Sequence, residues 1–348
     1  MLVSKLRESV ALQPIAGLHH ITAIAGPAQE NLDFYAGVRG MRLVKRSVNQ
    51  DDPGTYHLFY ADAEGHPGTD LTFFPWAQLA PHREGHGLST EVSLAVPPGS
   101  LGFWSGRLAR YGVKIYSPEV RFGQHVLPLV DPHGLRLALT ESESSLATAE
   151  PVLATGRVRP TGGHGGGGLG RPFTPWEKSS IPVEHQIRGL ESARLVEYDL
   201  DPTLSFLRDG LGFREIGVEN GWTRYALGEG TSGQYLELRA EPGARRGAWG
   251  TGSVHHIAWR MRDEDHELEV RQNVAEHGAQ PTPVIDRFWF KSVYFREPGG
   301  VLFELATDGP GFGVDEDHAT LGESLVLPPW LEADRSAIEA ALPKLTAP

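Results

Sequence analysis

The sequence predicts an α+β protein of four βαβββ modules, and three observations carry that expectation. Gly17-Leu18-His19-His20-Ile21-Thr22, Phe34-Tyr35 and Gly40-Met41-Arg42 return as Gly189-Leu190-Glu191-Ser192-Ala193, Phe206-Leu207 and Gly212-Phe213-Arg214, all at an offset of 172. Tyr111-Gly112-Val113 with Asp131-Pro132-His133-Gly134 returns as His277-Gly278-Ala279 with Glu297-Pro298-Gly299-Gly300, at an offset of 166. Each unit also keeps one internal order over roughly 55 residues: a short strand, a short helix, a glycine, then further short strands. The units run A, B, A′, B′, as in a half-chain that has been duplicated. With ~150 residues per domain, 348 residues leave room for about two domains.

In module 1 the opening strand is Leu18–Ala23, and Tyr56–Ala61 and Asp70–Phe74 follow as later strands. Module 2 contributes the clearest helix, because Leu101, Trp104, Leu108 and Tyr111 recur at spacings of 3, 4 and 3 and share one face. Module 4 opens with the strand Val254–Met261. It continues with a helix marked by Val270, Val274 and His277, and ends on strands Ser292–Arg296 and Val301–Ala306 joined by the Glu297-Pro298-Gly299-Gly300 turn. Gly40, Gly112, Gly212 and Gly278 stand where a helix ends on a left-handed residue. Glycine crowds Thr161–Gly170, which reads as a linker; no strand precedes it and no Lys-Ser/Thr follows to make it a phosphate loop. Ala333–Leu342 reads as a final amphipathic helix with Ile338, Ala341 and Leu342 in register. The boundaries are 1–150 for modules 1 and 2, 151–185 for the linker, 186–310 for modules 3 and 4, and 311–348 for a C-terminal extension.

Composition narrows the chemistry. The net charge of −12, without Lys/Arg blocks, disfavours nucleic acid as a partner. The absence of cysteine excludes thiol nucleophiles, thiolate-held zinc, iron–sulfur clusters and disulfides. No apolar run reaches the ~18 residues of a membrane span, and Met1–Glu8 carries no apolar core of signal-peptide length, so the expectation is a soluble, cytoplasmic protein with no membrane partner. Fifteen histidines are many for this length, and four of them form two His-His pairs. Any metal chemistry must use imidazole and carboxylate.

His20 closes the pair in the opening strand of module 1, and His256 closes the pair at the matching place in module 4. Glu304 lies inside the apolar run Val301-Leu302-Phe303-Glu304-Leu305-Ala306, where a carboxylate is costly unless paired or metal-bound. Its module 2 counterpart is Ala138, so the module itself does not require the acid. Two imidazoles and one carboxylate make the facial triad of non-haem Fe(II) oxygenases. If His20 and His256 share one ion, modules 1 and 4 must face each other. Modules 2 and 3 then form a second cup without a His pair and without metal, since module 3 offers Ser192 in place of the His, although Glu237 lies in its last strand. His57, in mid-strand between apolar residues, reads as structural; His125, His133 and His266 read as surface or turn residues.

The segments Leu18-His19-His20-Ile21-Thr22, Tyr56-His57-Leu58-Phe59-Tyr60-Ala61-Asp62, Pro67–Pro75, His255-His256-Ile257-Ala258 and Leu302–Thr307 together resemble the vicinal oxygen chelate (glyoxalase/extradiol dioxygenase) superfamily. Within it they resemble the ring-cleaving dioxygenases of the hydroquinone-dioxygenase type. That resemblance implies two cup-shaped half-barrel domains. It implies His20, His256 and Glu304 as ligands of Fe(II), with Mn(II) as a substitute, and a small dihydroxy aromatic and O2 as partners. The family also carries a Tyr ten residues before the Glu and an Arg seven before that Tyr, matched here by Tyr294 and Arg287. Arg287 would stabilise a bound phenolate and Tyr294 would hydrogen-bond the reacting oxygen. His19, His255 and Thr22 would line the pocket, with one of the two histidines relaying protons. Strand alternation speaks against His19 and His255, because neighbours in a strand point to opposite faces. A glyoxalase-type isomerase or lyase is the first alternative; it would need a fourth ligand from module 1, where Thr72 or Phe73 stands at the matching place and Asp70 is the only nearby acid. A non-catalytic binding protein on the same fold is the second. A homo-oligomer is compatible with the sequence.

Overall fold

The structure, a computed structural model, describes residues 13–143 and 173–347. The glycine-crowded Thr161–Gly170 lies outside the described residues. Among the described residues, sixteen strands fall into four groups of four. Module 1 holds β1 (Leu18–Ala25), β2 (Arg42–Asn49), β3 (Asp52–Ala61) and β4 (Asp70–Pro75). Module 2 holds β5 (Leu88–Val96), β6 (Glu119–Arg121), β7 (Gln124–Val130) and β8 (Arg136–Glu141). Module 3 holds β9 (Gly189–Glu197), β10 (Arg214–Glu219), β11 (Trp222–Ala226) and β12 (Tyr235–Ala240). Module 4 holds β13 (Val254–Met261), β14 (Ile285–Asp286), β15 (Lys291–Arg296) and β16 (Leu302–Thr307). Each module places a helix after its first strand: α1 (Ala28–Leu32), α2 (Leu101–Arg110), α3 (Asp201–Leu211) and α4 (Glu264–Glu276).

Two eight-stranded sheets result, ordered β14-β15-β16-β13-β1-β4-β3-β2 and β10-β11-β12-β9-β5-β8-β7-β6. Module 1 is thus joined to module 4 through β1 and β13, and module 2 to module 3 through β5 and β9. The sheets cut across the sequence halves 1–150 and 186–310: each half supplies four strands to each sheet. The core fills the space between the sheets and their helices, with Ile21, Trp104, Leu137, Leu195, Trp259 and Phe303 fully buried.

The helix faces end one turn earlier than their periodicity suggests. Trp104, Leu108, Val270 and Val274 are buried, but Tyr111 is 53% exposed beneath the Arg107 guanidinium, and His277 is exposed where α4 stops. The four glycines do take positive φ, from 65° at Gly40 to 96° at Gly278. His266, expected at the surface, is buried at the start of α4 between the Arg262 amide and the Gln13 carbonyl. His125 is exposed, and His133 reaches Glu30 from its turn. From Phe173 the linker stretch packs on module 1: Thr174 donates to Asp62, Ser179 donates to the Gly40 carbonyl, and Phe173 and Ile181 are buried. In the C-terminal extension a 3₁₀ turn at Pro329–Asp334 leads into α5 (Arg335–Ala341), which buries Ile338 and the following Leu342 but leaves Ala341 exposed.

β1 and β13 pair antiparallel with two irregularities. The register passes from Leu18–Trp259 to His20–Ala258, and from Thr22–His256 to Ala23–Val254. His19 and His255 are therefore the extra residues of two bulges, one on each strand. The second sheet repeats this: Thr90 on β5 and Glu191 on β9 are skipped in the same way. Gly68 holds the His19 bulge and Gly233 the Glu191 bulge. The Gly68 amide donates to the His19 carbonyl and its carbonyl accepts from Leu190; Gly233 does the same with Glu191 and Leu18. Both adopt positive φ, 92° and 82°, which only glycine takes without strain.

Candidate metal centre

The ladder explains why three distant residues meet. His20 pairs with Ala258, and Ala258 with Glu304, so His20 and Glu304 stand in one row across the first sheet. His256 lies two residues from Ala258 and shares its face. His20 Nε2 and His256 Nε2 are 3.2 Å apart, and Glu304 Oε2 lies 3.2 Å from the first and 2.9 Å from the second. Among the described residues this is the one group of three or more His, Cys, Asp or Glu whose ligand atoms lie within 4.8 Å of each other.

The surrounding hydrogen bonds prepare these atoms for an ion. The carbonyl of Thr307 can only accept, so His19 Nε2, 3.1 Å away, carries a proton. Burial, then the neighbouring His20, push the His19 pKa well below its ordinary value, so its Nδ1 is a lone pair. His20 Nδ1, 2.9 Å from it, must donate, and His20 Nε2 then turns a lone pair to the centre. His255 Nδ1 lies 2.8 Å from His256 Nδ1 and supports the second ligand likewise; burial and His256 lower its pKa to about 3. Trp249 stacks on the His255 ring at 4.5 Å. Glu304 Oε1 accepts from Ser292 Oγ at 2.5 Å, whereas Oε2 is buried without a hydrogen bond. Burial alone would raise the Glu304 carboxyl, whereas positive charge on His20 and His256 would hold it well below the usual carboxylate range, a part that a bound cation takes over once both imidazoles turn lone pairs inward. A buried anion with a free oxygen beside two imidazole lone pairs fits a divalent cation.

The expected site residues divide into two sets. Arg287 and Tyr294 line a small cavity with His20, His256, His57, Phe59, Phe74, Trp289 and Phe290. His19, His255 and Thr22 do not line it; the two histidines stand behind His20 and His256, and Thr22 is fully buried beneath the wall, hydrogen-bonded to Thr72 at 2.7 Å. The bulges are what let neighbouring histidines turn to one side, against simple alternation. Arg287 Nη2 lies 2.9 Å from Asp51 Oδ2, with its guanidinium over the Tyr294 ring at 5.4 Å. Burial opposes the Arg287 charge, but Tyr294 and Asp51 raise its pKa. Burial and Glu304 push the Tyr294 phenol up, so it stays protonated.

Sequence reading missed Lys45, fully buried on β2. Its ammonium bonds the Phe312 carbonyl (3.1 Å), Asp315 (2.7 Å) and Glu316, and lies 5.2 Å from the Trp289 ring. A lysine inside the apolar stretch Leu43-Val44-Lys45 was the available signal. The extension after β16 is thereby fastened along the cavity wall, with Trp289 donating to Asp315.

The second cup is built alike but filled differently. Its register equivalents of His20, His256 and Glu304 are Ser192, Glu91 and Ala138. Glu237 is held by Arg194 (2.6 Å) and Arg224 (2.6 Å), and Glu91 by Arg121.

Residues 189–305 match the Glyoxalase/Bleomycin resistance protein/Dioxygenase superfamily. The chain is 40% identical over 326 residues to "Putative ring-cleaving dioxygenase MhqO" of Bacillus subtilis (strain 168), covering 94% of this chain and 95% of that one. It is 31% identical to chlorohydroquinone/hydroquinone 1,2-dioxygenase of Sphingobium indicum, covering 91% and 93%. A Bacillus subtilis crystal structure superposes with a TM-score of 0.83 at 38% identity, over 97% of this chain and 99% of that one. Glyoxalase I from Zea mays shares the fold at a TM-score of 0.57 and 17% identity, over 84% of this chain and 92% of that one.

Proposed function

Since the chain belongs to the glyoxalase/bleomycin resistance protein/dioxygenase superfamily, we propose that it is an Fe(II)-dependent dioxygenase that opens the ring of a hydroquinone-like or related dihydroxy aromatic. The observation that carries this reading is a centre of three donors, two imidazoles and one carboxylate, with no second acid as a fourth donor among the described residues. Thr72 pairs with Thr22, two residues past His20, as Glu304 pairs with Ala258, two residues past His256. Thr72 is thus the counterpart of Glu304, and a four-ligand isomerase centre would need a carboxylate there.

His20, His256 and Glu304 would hold Fe(II), or Mn(II) as a substitute. When bound, the ion supplies open positions for O2 and a phenol oxygen, and a path for electrons between them. The protein groups do the rest. Phe59, Phe74, Trp289 and Phe290 give an aromatic ring apolar walls and keep water out. Arg287 sets a permanent positive charge beside the cavity and favours the phenolate form of a bound ring. Tyr294, kept protonated, donates a hydrogen bond to an oxygen of the bound ring or of O2. His19 and His255 fix the tautomers and orientations of the ligand imidazoles.

The test is O2 uptake by anaerobically Fe(II)-loaded protein with hydroquinone and, separately, catechol, against Glu304→Ala. Uptake with ring-opened absorbance, abolished in the variant, is the expected result. No uptake by protein carrying one ion per chain would favour the isomerase reading.

A further inference from the structure

The pairing that makes Thr72 the counterpart of Glu304 extends one strand further. Thr72 pairs with Phe59 as Glu304 pairs with Tyr294, so His57, two residues before Phe59, matches Ser292. The hydrogen bonds match as well. Ser292 holds Glu304, and His57 Nε2 lies 2.9 Å from Thr72 Oγ1. Thr72 Oγ1 in turn lies 2.7 Å from Thr22 Oγ1, giving a chain of three groups that runs from beneath the wall to the cavity.

Counting hydrogens fixes the direction of that chain. If His57 Nε2 donated, Thr72 would donate to Thr22, and the Thr22 hydrogen would be left without an acceptor in a fully buried place. A stranded donor of that kind costs about 1–3 kcal/mol. In the other direction Thr22 donates to Thr72 and Thr72 to His57 Nε2, and every hydroxyl hydrogen is used. His57 then carries its proton on Nδ1, an atom with no partner among the described residues, on a ring that lines the cavity with His20, His256 and Tyr294.

We propose that His57 is a substrate-contacting residue whose Nδ1–H donates a hydrogen bond to the oxygen of a bound dihydroxy aromatic that is not on the metal. The assignment rests on the ring-cleavage reading and deepens it, because it makes the second hydroxyl of the substrate a recognition element. Burial, with His20 and His256 nearby, keeps His57 neutral, so it acts as a fixed donor. Phe59 and Phe74, with centroids 3.8 and 4.4 Å from the imidazole, hold its plane.

The experiment measures anaerobic binding of hydroquinone and of phenol to the metal-loaded protein, its His57→Phe and His57→Asn variants, and Thr72→Val. Phenol lacks the second hydroxyl. His57→Phe should weaken hydroquinone about tenfold and leave phenol unchanged. His57→Asn, which keeps an amide donor near Nδ1, should restore most of the loss. Thr72→Val should give an intermediate loss for hydroquinone alone. Equal losses for both rings, or no rescue by asparagine, would reduce His57 to packing. Tight hydroquinone binding that His57→Phe leaves intact would overturn the role of His57 while the ring-cleavage reading stands. If the unsubstituted protein binds neither ring, both fall.

Discussion

His19 and His255 stand behind His20 and His256 and do not line the cavity, yet each fixes which nitrogen of its neighbour faces the centre. His19→Phe and His255→Phe should each weaken metal retention by roughly 10–100-fold with little change in folding, and chelator competition on the loaded protein would measure it. Glu304→Ala should lose the ion outright in the same assay. Unchanged retention in both phenylalanine variants would mean that the pairs act by packing alone. The grouping of His20, His256 and Glu304 was legible in the sequence, because a repeat marks equivalent places and a carboxylate in an apolar run asks for a partner. The orientation of His19 and His255 was not, since period-two alternation assumes an unbroken ladder and a bulge adds a residue that no pattern marks. His57 read as structural because one imidazole between apolar residues looks the same whether its free nitrogen meets a wall or a cavity.

Among elements, the extension after β16 is held by hydrogen bonds to β2 and Trp289 and by one buried ammonium. Lys45→Met would leave Asp315 and Glu316 as unpaired carboxylates beside Trp289 and should cost about 3 kcal/mol in urea unfolding. A loss below about 1 kcal/mol would show that the carboxylates simply turn to water. In the second cup, Glu237→Gln should lower stability, because Arg194 and Arg224 lose their shared anion, and should leave metal content at one ion per chain. The modules were readable as elements from spacing and glycine placement. The partnering of module 1 with module 4 followed only from asking which histidines could share an ion, since hydrophobic periodicity says which face of a strand is buried and nothing about which strand lies beside it. The helix ends at Tyr111 and His277 were overread for a related reason: periodicity continues past the point where a helix leaves the sheet.

At the scale of the molecule, the two sheets meet where Glu197, at the end of β9, sits under Gly299 in the turn before β16; a Cβ at Gly299 would collide with its carboxylate. Glu197 is fully buried with both oxygens unbonded, and burial, then Glu297, push its pKa to about 9. The folded chain keeps this proton while the unfolded chain, with a carboxyl near 4.5, releases it, so stability falls as pH rises through that window. Glu197→Gln should therefore gain Tm relative to the unsubstituted protein by roughly 4 °C more at about pH 8 than at about pH 5, read by thermal scans. An equal gain at both pH values would mean the junction carries no buried proton. The same duplication left Thr90 and Glu191 bulged in the second sheet, with Gly233 holding Glu191 as Gly68 holds His19. The main chain of that cup is already shaped for a ligand and its support to arrive as adjacent residues, so a designer seeking a second centre inherits the scaffold and has only side chains left to rewrite.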